Sequence, residues 1–133
     1  MAETKRKILI IEDEEPLLEA LTIKFEKEGF SVLKAKDGEE GLVTAKNGEP
    51  DLIILDLVMP KMDGVKMMEE LRKNDWGKKV PVIVLTNLNL DEMKILGKSP
   101  IPERVERGEP AEYILKANVK LEDVVNEAKK ILG

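Results

Sequence analysis

Short runs of branched aliphatic residues recur along this chain, and between them the apolar residues fall at helical spacing instead. The runs at 7–11, 30–35, 52–55, 80–85 and 111–115 are too short for buried helices and too continuous for strands with one wet face. They read as strands covered on both sides, as the central strands of a parallel sheet are. The intervening stretches supply the cover. Leu18, Leu21 and Phe25 form one helical stripe, between Pro16 in the first turn and Gly29 at the end. Asp37 with Glu40 makes a capping box for a helix through Leu42 and Ala45, broken at Gly48 and Pro50. Val65, Met68 and Leu71 form a third stripe after a turn at Asp63-Gly64, and Leu121, Val124, Val125, Ala128, Ile131 and Leu132 form the last.

Fivefold alternation of strand and helix predicts an α/β fold with a doubly wound, five-stranded parallel sheet. The 133 residues contain no internal repeat or long linker, so one domain over 1–133 is expected, with no output domain attached. The stretch 87–110 is the exception to the regular pattern. It holds Pro100, Pro102 and Pro110 with Gly97 and Gly108, so a single long fourth helix cannot run through it. Two short helices, near 91–96 and 102–107, are expected around an irregular loop.

Composition narrows the chemistry. The chain has no cysteine and no histidine. Disulfides, thiolate metal sites, histidine-ligated zinc and a Ser-His-Asp triad are all excluded. The net charge is -5 with both signs interspersed, which argues against direct nucleic-acid binding, since phosphate backbones need a basic face. No apolar run approaches the roughly 18 residues that would span a membrane, and the polar start does not read as a signal peptide. A cytoplasmic location is expected.

In open parallel α/β sheets, ligands bind outside the carboxyl ends of the strands. Strand one delivers Glu12 and Asp13 there, strand three Asp56, strand four Thr86 and strand five Lys116. Taken singly, most have an ordinary explanation. Acids suit a helix N-terminus, a lysine suits a surface, and a threonine hydroxyl suits a strand end. Asp56 does not, because an acid directly after Leu52-Ile-Ile-Leu55 has no packing reason to be there. Three crowded carboxylates repel one another and call for a cation. Few ligands, all oxygen, suit Mg²⁺ with several waters retained. Asp56 would then act as nucleophile toward phosphorus and become an aspartyl phosphate, with Thr86 and Lys116 binding the remaining phosphoryl oxygens.

The motifs Ile8-Leu-Ile-Ile-Glu-Asp-Glu14, Asp56-Leu-Val-Met-Pro60, Met62-Asp63-Gly64, Val84-Leu-Thr86 and Tyr113-Ile-Leu-Lys116 resemble the receiver domain of two-component response regulators, over nearly the whole chain. The resemblance implies a flavodoxin-like sheet in the order 2-1-3-4-5. It implies Mg²⁺ held by Glu12, Asp13, Asp56 and the main-chain carbonyl of Val58. It also implies a switch, in which Thr86 turns toward the phosphoryl group and Tyr113 moves inward behind it. The change would appear on the face made by helix four, strand five and helix five. The phosphoryl donor would be a histidine kinase or a histidine phosphotransfer protein, docking on the helix-one surface at 14–18. The readout would pass to a downstream protein target that the sequence does not name. Such a domain is not a conventional enzyme, but would catalyse its own phosphorylation and dephosphorylation.

Other folds and roles fit the residues less well. A phosphorylation-independent interaction module on the same fold is compatible with the unusual 87–110 region, but leaves the five strand-end residues unexplained. A flavodoxin would need a phosphate-cradling loop after strand one, where this chain has Glu12-Asp13-Glu14-Glu15. A haloacid-dehalogenase-type phosphatase would need a second acid where Val58 stands.

The chain departs from the family pattern at three places. Asn87 follows the threonine where a small residue is usual, the Thr86 to Lys116 interval is long, and Ala117 replaces the usual cis-proline. A cis bond before a non-proline residue costs about 3 kcal/mol. The Lys116–Ala117 bond is therefore expected to be trans, and electron density that is clearly cis there overturns this.

Overall fold

A computed structural model describes residues 5–56, 64–86, 111–115 and 120–133, with Val65, Thr86 and 111–115 described through their backbone. Strands β1 (Lys7–Ile11), β2 (Ser31–Ala35), β3 (Leu52–Asp56), β4 (Val82–Thr86) and β5 (Ala111–Leu115) form one sheet in the order 2-1-3-4-5. All four neighbouring pairs are parallel. Helices α1 (Glu15–Lys27), α2 (Gly38–Gly48), α3 (Gly64–Lys73) and a C-terminal helix (Leu121–Leu132) complete the described elements. This is the doubly wound, flavodoxin-like architecture expected from the alternation of runs.

Side chains of a strand alternate between faces, so each apolar run feeds two cores. Leu9 and Ile11 of β1 join Ile53 and Leu55 of β3 and Val82 and Val84 of β4 beneath Met67, Met68 and Leu71 of α3. Ile8 and Ile10 join Leu52, Ile54, Ile83 and Leu85 beneath Leu18, Leu21 and Phe25 of α1 and Val124, Val125 and Ala128 of the C-terminal helix. Full burial of a side chain such as Phe25 contributes about 1.5–3 kcal/mol. Its ring also meets Phe30 edge-on, at 5.5 Å between centroids.

The helix ends follow local chemistry. Pro16 stands in the first turn of α1, and Gly29 leaves it with a left-handed φ of 93°. Asp37 caps α2 by accepting a hydrogen bond from the Glu40 N–H at 2.8 Å, as the capping box requires. The returning half differs, because Glu40 accepts from the Lys36 N–H, one residue before the cap, at 3.4 Å. The left-handed residue that ends α2 is Glu49, not Gly48. Gly64 is the first residue of α3, and Phe30 lies just outside β2. β4 starts at Val82 instead of at 80, because the chain first forms a 3-10 turn at Asp75–Gly77.

That connection is held by a buried charge. The Arg72 Nη1 donates to the carbonyls of Gly77 at 2.8 Å, Lys78 at 3.2 Å and Val80 at 2.8 Å. Gly77 is required there, since a Cβ would meet the Leu71 carbonyl oxygen at 2.4 Å. The expectations for 87–110, Val58, Lys116 and the Lys116–Ala117 bond lie outside the described residues.

Arg72→Met should destabilise the domain by about 2–4 kcal/mol, because buried carbonyls lose their donor. Urea unfolding at neutral pH measures this, and a loss below 1 kcal/mol would show the clasp to be dispensable. A second expectation concerns acid. A hydrogen bond from Lys129 at 2.7 Å, and then the charge of Lys129, holds the Glu28 carboxyl below its ordinary value of 4.5. A carboxylate depressed by folding contributes stability that is complete above its unfolded value and disappears as pH falls through the folded one. Lys129→Ala should therefore lower the thermal midpoint slightly at pH 7, where the contribution is complete, and leave it unchanged well below pH 4.5, where Glu28 is protonated; the difference is small because the pair lies at the surface.

Candidate functional site

The strand order reverses between β1 and β3. From β1 the chain winds outward to β2, then returns past β1 to lay down β3 and continues the other way. Helices diverge at such a switch point and leave an open crevice at the carboxyl ends of the two strands. Register fixes what stands there. Ile11 pairs with Leu55, so Glu12 and Asp56 are the next residues along each strand. The Glu12 N–H continues the ladder by donating to the Ala35 carbonyl at 3.0 Å. Asp56 pairs with Leu85, which brings Thr86 one step beyond it on the neighbouring strand. Thr86 in turn pairs with Leu115 of β5.

The carboxylates of Glu12, Asp13 and Asp56 each bring an oxygen within 4.8 Å of the others. Glu12 is 1% exposed and Asp56 5%, while Asp13 is more open. Glu12 is thus no solvated helix N-terminus, the ordinary explanation open to it in sequence. Its Oε2 accepts from the Glu14 N–H at 3.1 Å, which fixes the side chain where the strand turns into α1. This backbone contact has no signature in the sequence beyond the short gap between strand and helix. The acidic run 12–15 is not one cluster. Glu15 faces away to an exposed ion pair with Lys36, which lowers the Glu15 pKa through a hydrogen bond first and charge second.

Three carboxylates this close, two of them buried, are mutually repulsive, and the low surrounding dielectric strengthens the effect. The donor set is all oxygen and small, so it fits a hard divalent cation such as Mg²⁺. The site residues expected from sequence therefore divide. Glu12, Asp13 and Asp56 come together. Thr86 stands at the same edge by backbone register, and Tyr113 lies within β5. Lys116 and Val58 lie outside the described residues. The expected helix-one docking surface needs one correction, because Leu18 is 4% exposed and packed in the core beneath α1. Only Glu14, Glu15 and Pro16 of that segment are fully at the surface.

A doubly wound 2-1-3-4-5 sheet with a carboxylate cluster at its switch point defines a CheY-like α/β domain. The chain belongs to the response regulator receiver domain family, which its residues 8–98 match. It is 38% identical over 92 residues to the alkaline phosphatase synthesis transcriptional regulatory protein PhoP of Bacillus subtilis, covering 69% of this chain and 38% of PhoP. It is 35% identical over 92 residues to the protein PilH of Pseudomonas aeruginosa, covering 69% of this chain and 76% of PilH. The receiver domain of a Francisella response regulator superposes with a TM-score of 0.76 at 27% identity, over 94% of each chain. The chain is therefore a receiver domain of two-component signal transduction, and it spans little more than a third of PhoP.

Repulsion within the cluster has a measurable consequence. In chelator-containing buffer, Asp13→Asn should raise the thermal midpoint by about 3 °C. A fall in midpoint would show that the three carboxylates are already compensated without a cation.

Proposed function

We propose that Asp56 is the phospho-acceptor of this receiver domain, and that its phosphorylation is Mg²⁺-dependent. The observation that carries the reading is the convergence of Glu12, Asp13 and Asp56 at the switch point, with Asp56 at the end of a strand otherwise wholly apolar. Glu12, Asp13, Asp56 and the main-chain carbonyl of Val58 would hold the ion. Bound there, Mg²⁺ supplies positive charge where negative charge accumulates on the phosphoryl oxygens.

The chain's own residues do the rest. The Asp56 carboxylate attacks the phosphorus of a phosphohistidine, the P–N bond breaks, and the imidazole departs on the donor protein. Burial of Asp56 keeps its carboxylate poorly hydrated, which favours attack over solvation. The Thr86 hydroxyl and Lys116 ammonium take the phosphoryl oxygens. The donor is a histidine kinase or histidine phosphotransfer protein, since the chain has no histidine of its own. Thr86 and Tyr113 form the switch, and the face of helix four, strand five and the C-terminal helix is read by a downstream protein target. Transfer and hydrolysis are catalysed by the domain itself, which acts as a single unit over 1–133. Its place of action is the cytoplasm, where kinases draw on ATP. Among the described residues no helix is long and apolar enough to cross a membrane.

Incubation with Mg²⁺ and acetyl phosphate should add the mass of one phosphoryl group. Asp56→Asn and excess chelator should each abolish the gain. No gain with acetyl phosphate or any phosphohistidine donor would leave the domain a phosphorylation-independent interaction module.

A further inference from the structure

A cavity lies near the amino-terminal ends of β3 and β4, on the edge of the sheet opposite Asp56. There Ala45, Glu49, Pro50, Trp76 and Val80 line an open cavity of about 260 Å³. Three independent observations single it out. Trp76 is the only tryptophan of the chain, yet it is 37% exposed at the cavity instead of buried in either core. Glu49 holds a φ of 48° and is the one non-glycine residue with positive φ among those described. Glycine or asparagine ordinarily occupies such a position after a helix, so the glutamate brings something that backbone comfort does not. Finally, the backbone that follows Trp76 is tied to α3, because Arg72 donates to the carbonyls of Gly77, Lys78 and Val80.

We propose that this cavity takes the side chain of a lysine or arginine presented by a partner protein. An aliphatic stem suits Ala45, Pro50 and Val80. A cation at its end suits a lining that holds both an indole and a carboxylate residue. Among the described residues the Glu49 side chain has no hydrogen-bond or ion-pair partner, so its charge is available. A neutral apolar occupant would strip water from that carboxylate without replacing it. An anion would meet it directly. Two lysines of the chain stand near this segment, Lys78 paired with Asp75 at 3.1 Å and Lys7 donating its ammonium to the Gly48 carbonyl at 3.0 Å. The volume is below the usual range for cofactor pockets and the cavity is open on one side, which favours a projecting side chain over a free nucleotide or flavin.

Because Trp76 is the sole tryptophan, its emission reports on the cavity directly. The test titrates the whole chain with acetyl-Gly-Arg-Gly-amide and with the norleucine counterpart, following tryptophan emission and amide chemical shifts. The arginine peptide should give a saturable response with shifts confined to 45–50 and 76–80, and the norleucine peptide should bind about fivefold more weakly. Glu49→Gln should lose about the same factor while phosphoryl uptake on Asp56 is unchanged, which separates this site from the acceptor site. Glu49→Gly, suited to the left-handed backbone, should stay folded and lose binding equally. Equal affinity for the two peptides, unchanged affinity in Glu49→Gln, or no saturable response would each overturn the proposal.

Discussion

The parallel pairing of β1 with β3 sets the rest of this molecule in place. Both strands send aliphatic side chains to two faces, and each face is sealed by helices that pack from opposite sides. At the carboxyl end of that pair the aliphatic residues stop together, and the next positions are acids. Register converts two separated motifs into neighbours, and the reversal of winding direction leaves the crevice above them open.

The two cores also explain how a repulsive cluster is tolerated. The buried carboxylates of Glu12 and Asp56 stand at the edge of a sheet whose central strands are almost fully dry. The crowded acids stand where a cation or a phosphoryl group can change their interactions. A switch needs such a place, since a ligand moves an equilibrium only through a difference in its interaction with the two states. Elsewhere charge is arranged quietly. The Glu15–Lys36, Glu19–Lys34 and Glu28–Lys129 pairs lie at the surface and join elements that already pack.

Much of the candidate site is legible in the sequence. Asp56 was visible because an acid directly after Leu52-Ile-Ile-Leu55 contradicts its surroundings. The acid pair at Glu12 and Asp13 was visible because strand-end positions are where parallel sheets bind ligands. Less legible were features that depend on atoms brought from elsewhere. The Arg72 clasp joins a helix to the turn after it, and arginine at the end of a helix ordinarily reads as a solvated charge favoured by the dipole. The 3-10 turn at Asp75–Gly77 has no periodicity to betray it. Leu18 belonged to both the inner stripe of α1 and the docking segment 14–18 as read from sequence, and its burial agrees with the stripe.

By itself the sequence determined the layers: aliphatic runs covered on both faces can be satisfied only inside a parallel sheet, and the acids that end them must stand at its carboxyl edge. It could not determine which acids would touch. That was decided by tertiary structure, because the distance between Glu12 and Asp56 depends on strand register, and register depends on packing across both cores at once. The same holds at the opposite edge. Glu49 and Trp76 are far apart in the chain, and only the placement of β3 beside β4 brings them to one cavity.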